Sequence, residues 1–421
     1  MSWIALQMLT GDRAKFFGIV MGLTFAALLI TQQGSIFCGL MLRTASQITD
    51  TTGADLWVMD PNVLQIDDNK PMIENNLYRV RGVEGILWAV PFYKGNGRAK
   101  VSNIHGEPKK VIESVILLGL DDSSMVGGPP EERILVGRLE DLRKPDAVFV
   151  DHTRLTKLFP GLPPQYYLPA DPKSPGYEKQ EDLRYFINKE IEMNDHRAII
   201  VGICEATRTF QSNAVIYTTY SRAKSYVPQE RKVLSYILAK VDEPKNPDGS
   251  SKLTEEERQA FHKDVAEAVK RQTGLLALSS QDFMWKTINY FLKYTGIPIN
   301  FGITAFLGFL VGTAIAGQTF YNFTLENLKQ FGALKAMGAT NGRIVAMILL
   351  QATVVGLLGY GMGVGLAALF GISTKGGELA FYTPWQLLPI TGVAVVLICI
   401  LASLLSVRRV MVLEPAVVFR G

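Results

Sequence analysis

Four stretches of the chain are apolar over about the 20 residues that an α-helix needs to cross a bilayer. They are residues 16–42, 297–320 (with a less apolar approach from 288), 344–370 and 387–407. Between the first and second the pattern changes. Short runs rich in β-branched and aromatic residues, at 54–59, 86–92, 115–120, 147–150, 198–203, 214–219 and 234–241, read as strands. One helix start is well marked: Thr254 and Glu257 make a Thr-x-x-Glu capping box, and Phe261, Val265, Ala268 and Val269 then share a face. Residues 162–174 are proline-rich and irregular, and 245–251 (KNPDGSS) read as a polar turn. The expected fold is an α-helical membrane protein with four transmembrane helices and a large α+β extracytoplasmic domain.

The charges flanking the apolar runs give an orientation. Arg13 and Lys15 precede the first run, Lys329, Lys335 and Arg343 separate the second from the third, and Arg408, Arg409 and Arg420 follow the last. The other short loop sets Lys375 against Glu378. Basic residues stay on the cytoplasmic side, so both termini are expected there and residues 43–287 outside. The first run is too long for a cleaved signal peptide and reads as an uncleaved anchor. The expected order is a cytoplasmic amphipathic entry (1–15), a span (16–42), the extracytoplasmic domain (43–287) and a second span (288–320). A cytoplasmic loop (321–343), a third span (344–370), an outer loop (371–386), a fourth span (387–407) and a cytoplasmic tail (408–421) complete it.

Composition narrows the chemistry. Charged residues make up 19% of the 421, against roughly 25% in soluble domains, as a mixture of spans and a water-facing domain requires. A net charge of +4 gives no footprint for nucleic acid. Cys38, Cys204 and Cys399 lie far apart, and no two of the four histidines stand at ligand spacing, so neither a disulfide framework nor a metal centre is expected. No G-x-x-x-x-G-K-[ST] run occurs, so ATP hydrolysis is not expected of this chain. The four runs hold no carboxylate, which disfavours proton- or sodium-coupled transport.

Several residues inside the spans stand out. Gln32 and Gln33, beside Thr31, must find hydrogen-bond partners in lipid, either on another helix or on a polar or amphiphilic ligand. Ala305, Gly308, Gly312 and Ala316 form a small-residue stripe that lets two helices approach closely. Its partner is a helix of the same chain or of a second copy; four spans offer few internal partners, so a homodimer contact is the favoured expectation. Glycines 356, 359, 361, 363 and 365 in the third span imply close packing with some bending.

The loop between spans two and three is the most informative segment. Its apolar residues Leu325, Leu328, Phe331, Leu334 and Met337 recur every third position, which drifts around a straight helix. A break near Gly332 is therefore predicted, followed by a short helix ending at Gly338, with Thr340 capping the third span. The run from Gln330 to Thr340, QFGALKAMGAT, resembles the signature of the MacB/FtsX-like ABC transporter permeases, typically Glu-Ile-Gly-x-x-[basic/apolar]-Ala-x-Gly-Ala. The order of spans and domain is similar too, as is the tail from Arg408, RRVMVLEPAV. ADLWV from Ala54, LGLDD from Leu118 and RTF from Arg208 resemble the DevC branch, whose members pair with a periplasmic adaptor. Gln330 stands where the family usually has an acidic residue.

The resemblance implies a non-catalytic permease subunit in the bacterial inner membrane, paired with a second copy and served by separate ABC ATPase subunits. Those subunits would hold ATP and Mg; this chain would carry no cofactor and bind no nucleic acid. Residues 43–96 and 232–285 would form a MacB-like porter part, and 97–231 a β-rich insert. The ATPase would grip Leu328, Gln330, Phe331, Gly332, Leu334, Lys335, Met337 and Gly338, with Phe331, Leu334 and Met337 as its apolar anchors. The expected function is export of a lipid, glycolipid or hydrophobic compound towards a periplasmic adaptor (membrane fusion) protein and an outer-membrane duct, in contact with membrane lipids. The alternative is an FtsX-type mechanotransmitter that regulates a cell-wall hydrolase; the size of the outer domain favours export.

Overall fold

The computed structural model describes residues 2–101, 111–163, 166–167, 180–228, 233–244, 246, 251–374 and 377–411. Most of the proline-rich stretch, most of the 245–251 turn, Lys375 and the tail beyond Met411 lie outside the described residues. The helices are α1 (Ser2–Gly11), α2 (Arg13–Thr44), α3 (Ser46–Asp50), α4 (Asn75–Arg81), α5 (Leu155–Leu158), α6 (Gln180–Leu183), α7 (Tyr220–Ser225), α8 (Glu255–Thr273), α9 (Ser280–Tyr294), α10 (Ile297–Glu326), α11 (Leu328–Ala336), α12 (Asn341–Ser373) and α13 (Leu387–Met411). The strands are β1 (Leu56–Met59), β2 (Ile86–Val101), β3 (Val111–Leu120), β4 (Ile134–Val136), β5 (Ala147–Asp151), β6 (Glu190–Met193), β7 (His196–Cys204), β8 (Ala214–Thr219), β9 (Tyr236–Val241) and β10 (Leu276–Ser279). They divide into two compact units, residues 1–40 with 296–421, and residues 41–295.

The first unit is helical. Helices α2, α10, α12 and α13 are each long and apolar enough to cross a membrane. Their shared core is built from Leu23, Ala26, Ala27, Ala316, Val355, Ile398 and neighbours. Small side chains set the spacing. A Cβ added to Gly312 would overlap the Ala26 methyl, and Gly359 and Gly363 press in the same way on Leu23 and Ala27. The stripe on α10 thus packs against α2 of the same chain. Gly308, Gly312 and Ala316 are buried and Ala305 is half-buried, so the stripe has a partner in its own chain, one of the two that the sequence allowed. Two of the third span's glycines, Gly361 and Gly365, face open space instead.

Polar groups between these helices pair with one another. Thr31 Oγ1 donates to Thr391 Oγ1 at 3.2 Å, and Ser35 Oγ lies 2.7 Å from Thr383 Oγ1. Gln32 and Gln33, in the same turn of α2, are half-buried.

The second unit is built on a continuous sheet in the order β10-β1-β9-β2-β3-β8-β5-β7-β4, with β6 joining β2 and β7. Alternation along β1 assigns its two faces. Leu56 and Val58 point into a core with Val80 of α4 and with Val265 and Val269 of α8, while Trp57 points the other way. There its ring meets Phe92, Tyr236 and Phe283 of α9 at centroid distances of 5.4–5.5 Å. Thr254 and Glu257 make both hydrogen bonds of the capping box that opens α8. A second core lies under β3, β5, β7 and β8, around Val115, Val150, Phe186 and Ile200.

Two boundaries differ from the sequence reading. The 97–231 insert was expected to begin at residue 97, but β2 runs unbroken from Ile86 to Val101 and pairs with β9 in its first half and β3 in its second. One strand therefore belongs to both parts. The second span was expected from 288, but α9 ends at Tyr294 and α10 begins after Gly296. Phe283, Thr287, Ile288 and Phe291 give α9 a buried face, so the residues read as an apolar approach serve the second unit's core.

Candidate functional site

The segment joining α10 to α12 carries the sequence motif, and its geometry differs from expectation in one decisive way. The break falls at Asn327. Its N–H and side-chain Nδ2 both donate to the Phe323 carbonyl (3.2 and 2.8 Å), ending α10, and its own carbonyl accepts from the N–H groups of Gln330 and Phe331 to open α11. Gly332 lies inside α11 and is buried. An apolar repeat of three fits either position; the capping capacity of an Asn decides it.

Helix α11 ends in a Schellman turn. Gly338 has φ +91°, the left-handed conformation that glycine adopts without a steric penalty. The Ala339 N–H reaches the Leu334 carbonyl and the Gly338 N–H that of Lys335, each at 3.0 Å. Ala339 then packs beside Leu334. This accounts physically for the Met337-Gly338-Ala339-Thr340 end of the motif: a stop, a reversal, and a new helix whose N-cap residue is Thr340. The Thr340 side chain makes no capping bond, although its backbone is extended as an N-cap requires.

The side chains of α11 are held from three directions. Phe331 is fully buried against Ile344 and Ile348 of α12 and Val410 of α13, with Met8 and Leu328 at the edge. Leu334 is buried against Ala5 of α1 and Met347 of α12. Lys335 Nζ donates to the carbonyl of Val410 at 2.8 Å and to that of Met411, where α13 ends and a cation is favoured. Phe331 and Leu334 are thus already occupied within the chain, contrary to their expected exposure as anchors. What remains on the surface is Lys329, Gln330, Ala336, Gly338 and Met337, the last 75% exposed, followed by Asn341 and Arg343 at the start of α12.

Helix α1 falls within the amphipathic entry expected at 1–15 and packs on α11 and α12. Ala5, Met8 and Leu9 fall on one face at helical spacing, and Ala5 and Leu9 are buried. Gln351 of α12 donates its side-chain N–H to the Ala5 carbonyl at 2.7 Å, satisfying a buried amide. Lys15 pairs with Asp12 at 2.7 Å and with Glu326 at the foot of α10. The signal was present in the spacing of Ala5, Met8 and Leu9.

In the second unit, the end of α3 is tied to the sheet. Buried Asp50 accepts from Arg133 at 2.7 Å, from the Thr207 N–H at 2.6 Å and from its hydroxyl at 2.7 Å. Phe210 on the same loop packs at a tilt against Phe291 of α9, with ring centroids 5.2 Å apart. The loop from 205 to 213 therefore touches both helices that adjoin the chain's crossings between units. Asp55, Glu243 and His262 place one ligand atom each within 4.8 Å of one another, but Asp55 holds Lys240 and Glu243 holds His262, at 2.8 and 2.6 Å. One ion pair, Asp55–Lys240, and one hydrogen bond, between Glu243 and His262, engage all three.

Comparison with known proteins bears mainly on the first unit. Residues 302–415 match the model of the FtsX-like permease C-terminal domain. A Mycobacterium bovis protein described as an uncharacterized ABC transporter permease is 34% identical over 123 residues, 28% of this chain and 33% of that relative. A Mycobacterium tuberculosis protein of the same description is 30% identical over 135 residues, 32% and 38% of the two chains. The chain thus spans about a third of the length of the curated relatives it matches. The extracellular domain of the noncanonic ABC-type transporter YknZ from Gram-positive bacteria aligns at TM-score 0.32 and 13% identity, over 54% of this chain and 99% of that one. The periplasmic region of MacB from Actinobacillus actinomycetemcomitans aligns at TM-score 0.35 and 14% identity, over 59% and 96%. The match to the FtsX-like permease C-terminal domain takes in α11 and its Schellman turn.

Proposed function

We propose that the chain is the membrane subunit of an ATP-driven exporter and passes motion from a separate ATPase, through α11, to the 41–295 unit. The observation that carries this reading is the contrast within α11. Phe331 and Leu334 are locked into α1, α12 and α13, while Met337 stands free on the turn beside them. A helix pinned on three sides moves as one body with the spans it touches, because packed interiors transmit displacement with little compression. A force applied at Met337 and the neighbouring polar rim would reach three helices together.

The ATPase is assigned to a second polypeptide because no phosphate-binding run occurs in the sequence. ATP and Mg would be bound there, and two copies of each subunit are the expected stoichiometry. The cargo is proposed to be a lipid, glycolipid or other hydrophobic compound, because the four apolar runs hold no charged residue with which to handle an ion. Hand-over to a periplasmic adaptor and outer-membrane duct, by analogy with the DevC branch, belongs to the same proposal, as does a bacterial inner-membrane location with both termini cytoplasmic.

The test is co-purification of the tagged chain from its own cells, with identification of the bound ATPase, adaptor and lipids. Hydrolysis is then measured in nanodiscs for the chain alone and with the ATPase added. The reading expects activity only in the pair. Robust hydrolysis by the chain alone, free of contaminating ATPase, would contradict it.

A further inference from the structure

Helix α9 has a second face that the core does not use. Its buried side carries Phe283, Ile288 and Phe291. Trp285, on the opposite side, is 51% exposed, and Tyr294, in the last turn, is 71% exposed. Trp285, Lys286, Tyr290, Lys293 and Tyr294 follow one another at helical spacing and, with Leu64 from the loop after β1, line an open groove of about 400 Å³. The rings of Tyr290 and Tyr294 lie 5.4 Å apart. Asp282 in the same groove is engaged as part of the helix's N-terminal cap, where the Ser279 hydroxyl donates to it at 2.7 Å. Two lysines against this one carboxylate leave the groove net positive.

Two independent features indicate what covers this face. Tyr294 is three residues from Ile297, where the membrane helix α10 begins, so the chain allows at most about 11 Å between them. Aromatic rings with polar edges, flanked by lysines whose stems lie along apolar surface, are the side chains that settle at the headgroup level of a bilayer. We propose that the outer face of α9 docks on the phospholipid headgroup layer of the membrane that α10 enters. Trp285, Tyr290 and Tyr294 would lie among the headgroups, and Lys286 and Lys293 on their phosphate oxygens. The inference rests on α10 as a membrane span and does not depend on the ATPase.

The experiment uses the full chain in nanodiscs of phosphatidylcholine with or without phosphatidylglycerol. Trp285 fluorescence is isolated as the difference between the parent and Trp285→Phe, a change at an exposed ring that leaves the core untouched. A nitroxide on the lipid headgroup is expected to remove most of this signal. Adding phosphatidylglycerol is expected to deepen the quenching in the parent and not in Lys286→Gln/Lys293→Gln. A signal untouched by the headgroup nitroxide but fully open to aqueous iodide would overturn the proposal. So would protection lost when discs hold a single copy, which would assign the face to a second chain.

Discussion

Gly312 and Ala26 meet where α10 crosses α2, so closely that a methyl group on the glycine would occupy the space of the alanine's own. Further close contacts, at Gly22, Gly34, Gly308, Gly356, Gly359 and Gly363, let the first unit's helices approach one another through glycines. In lipid, where apolar side chains gain nothing from leaving water, such van der Waals contact is a main source of helix association.

Replacing Gly312 by Leu should therefore disrupt the fold of one chain. Overpacking a filled site costs about 1–3 kcal/mol, read as a lowered melting temperature in nanodiscs. In a background lacking the natural cysteines, Leu29→Cys with Gly308→Cys should crosslink within one chain, because a Cβ on Gly308 would sit 3.1 Å from that of Leu29. A dimer band as the main product would place this face between copies after all.

Gly338 should tolerate little else. A residue with a Cβ pays roughly 1–2 kcal/mol in the left-handed region, and Asn pays least among the common ones. Thermal stability is expected to fall in the order parent, Gly338→Asn, Gly338→Val. Equal stability of all three would mean that the Schellman turn is not held in the membrane-embedded protein.

Phe331 should behave as a core residue. Phe331→Ala is expected to destabilise the first unit by about 3–5 kcal/mol, whereas Phe331→Leu, which keeps most of the volume, should cost less than about 1.5 kcal/mol. Chemical unfolding in detergent reads both. A Phe331→Ala variant as stable as the parent would show that the ring is not packed against Ile344, Ile348 and Val410.

Asp121 gives a pH signature in the second unit. Burial raises its carboxyl pKa, but hydrogen bonds from the Ser123 hydroxyl and from the Ser124 N–H and hydroxyl outweigh burial, and the net value lies below the ordinary 3.8. A carboxyl depressed in the folded state stabilises fully above its unfolded value and loses that contribution as pH falls through the folded one. Unfolding midpoints of the parent should therefore decline through this acid range more steeply than those of Asp121→Asn. Parallel curves would remove Asp121 from the account.

Much of the architecture was legible because its signals are local. All seven strand runs are strands, and Thr254 caps α8 as its spacing with Glu257 required. Strands β4, β6 and β10 went unread; with three or four residues each, they are held by their neighbours' pairing more than by their own pattern. The candidate site was read less well. Spacing marks Phe331, Leu334 and Met337 as apolar but does not say what covers them, and the cover for the first two comes from Ala5, Ile348 and Val410, which are remote in sequence. The small-residue stripe is silent in the same way: Gly308, Gly312 and Ala316 announce close packing without naming the partner.

The central claim, that motion enters through the exposed turn of α11, is tested most directly by the affinity of the ATPase for Met337→Ala permease in nanodiscs. Burying a Met side chain contributes about 1.5–3 kcal/mol. Association with the ATPase is expected to weaken by roughly 10- to 150-fold, permease-stimulated hydrolysis to fall with it, and the melting temperature to stay at the parent's value. Phe331→Leu serves as the control and should bind like the parent. Parent-like binding and stimulation by Met337→Ala, with the protein folded, would contradict the claim.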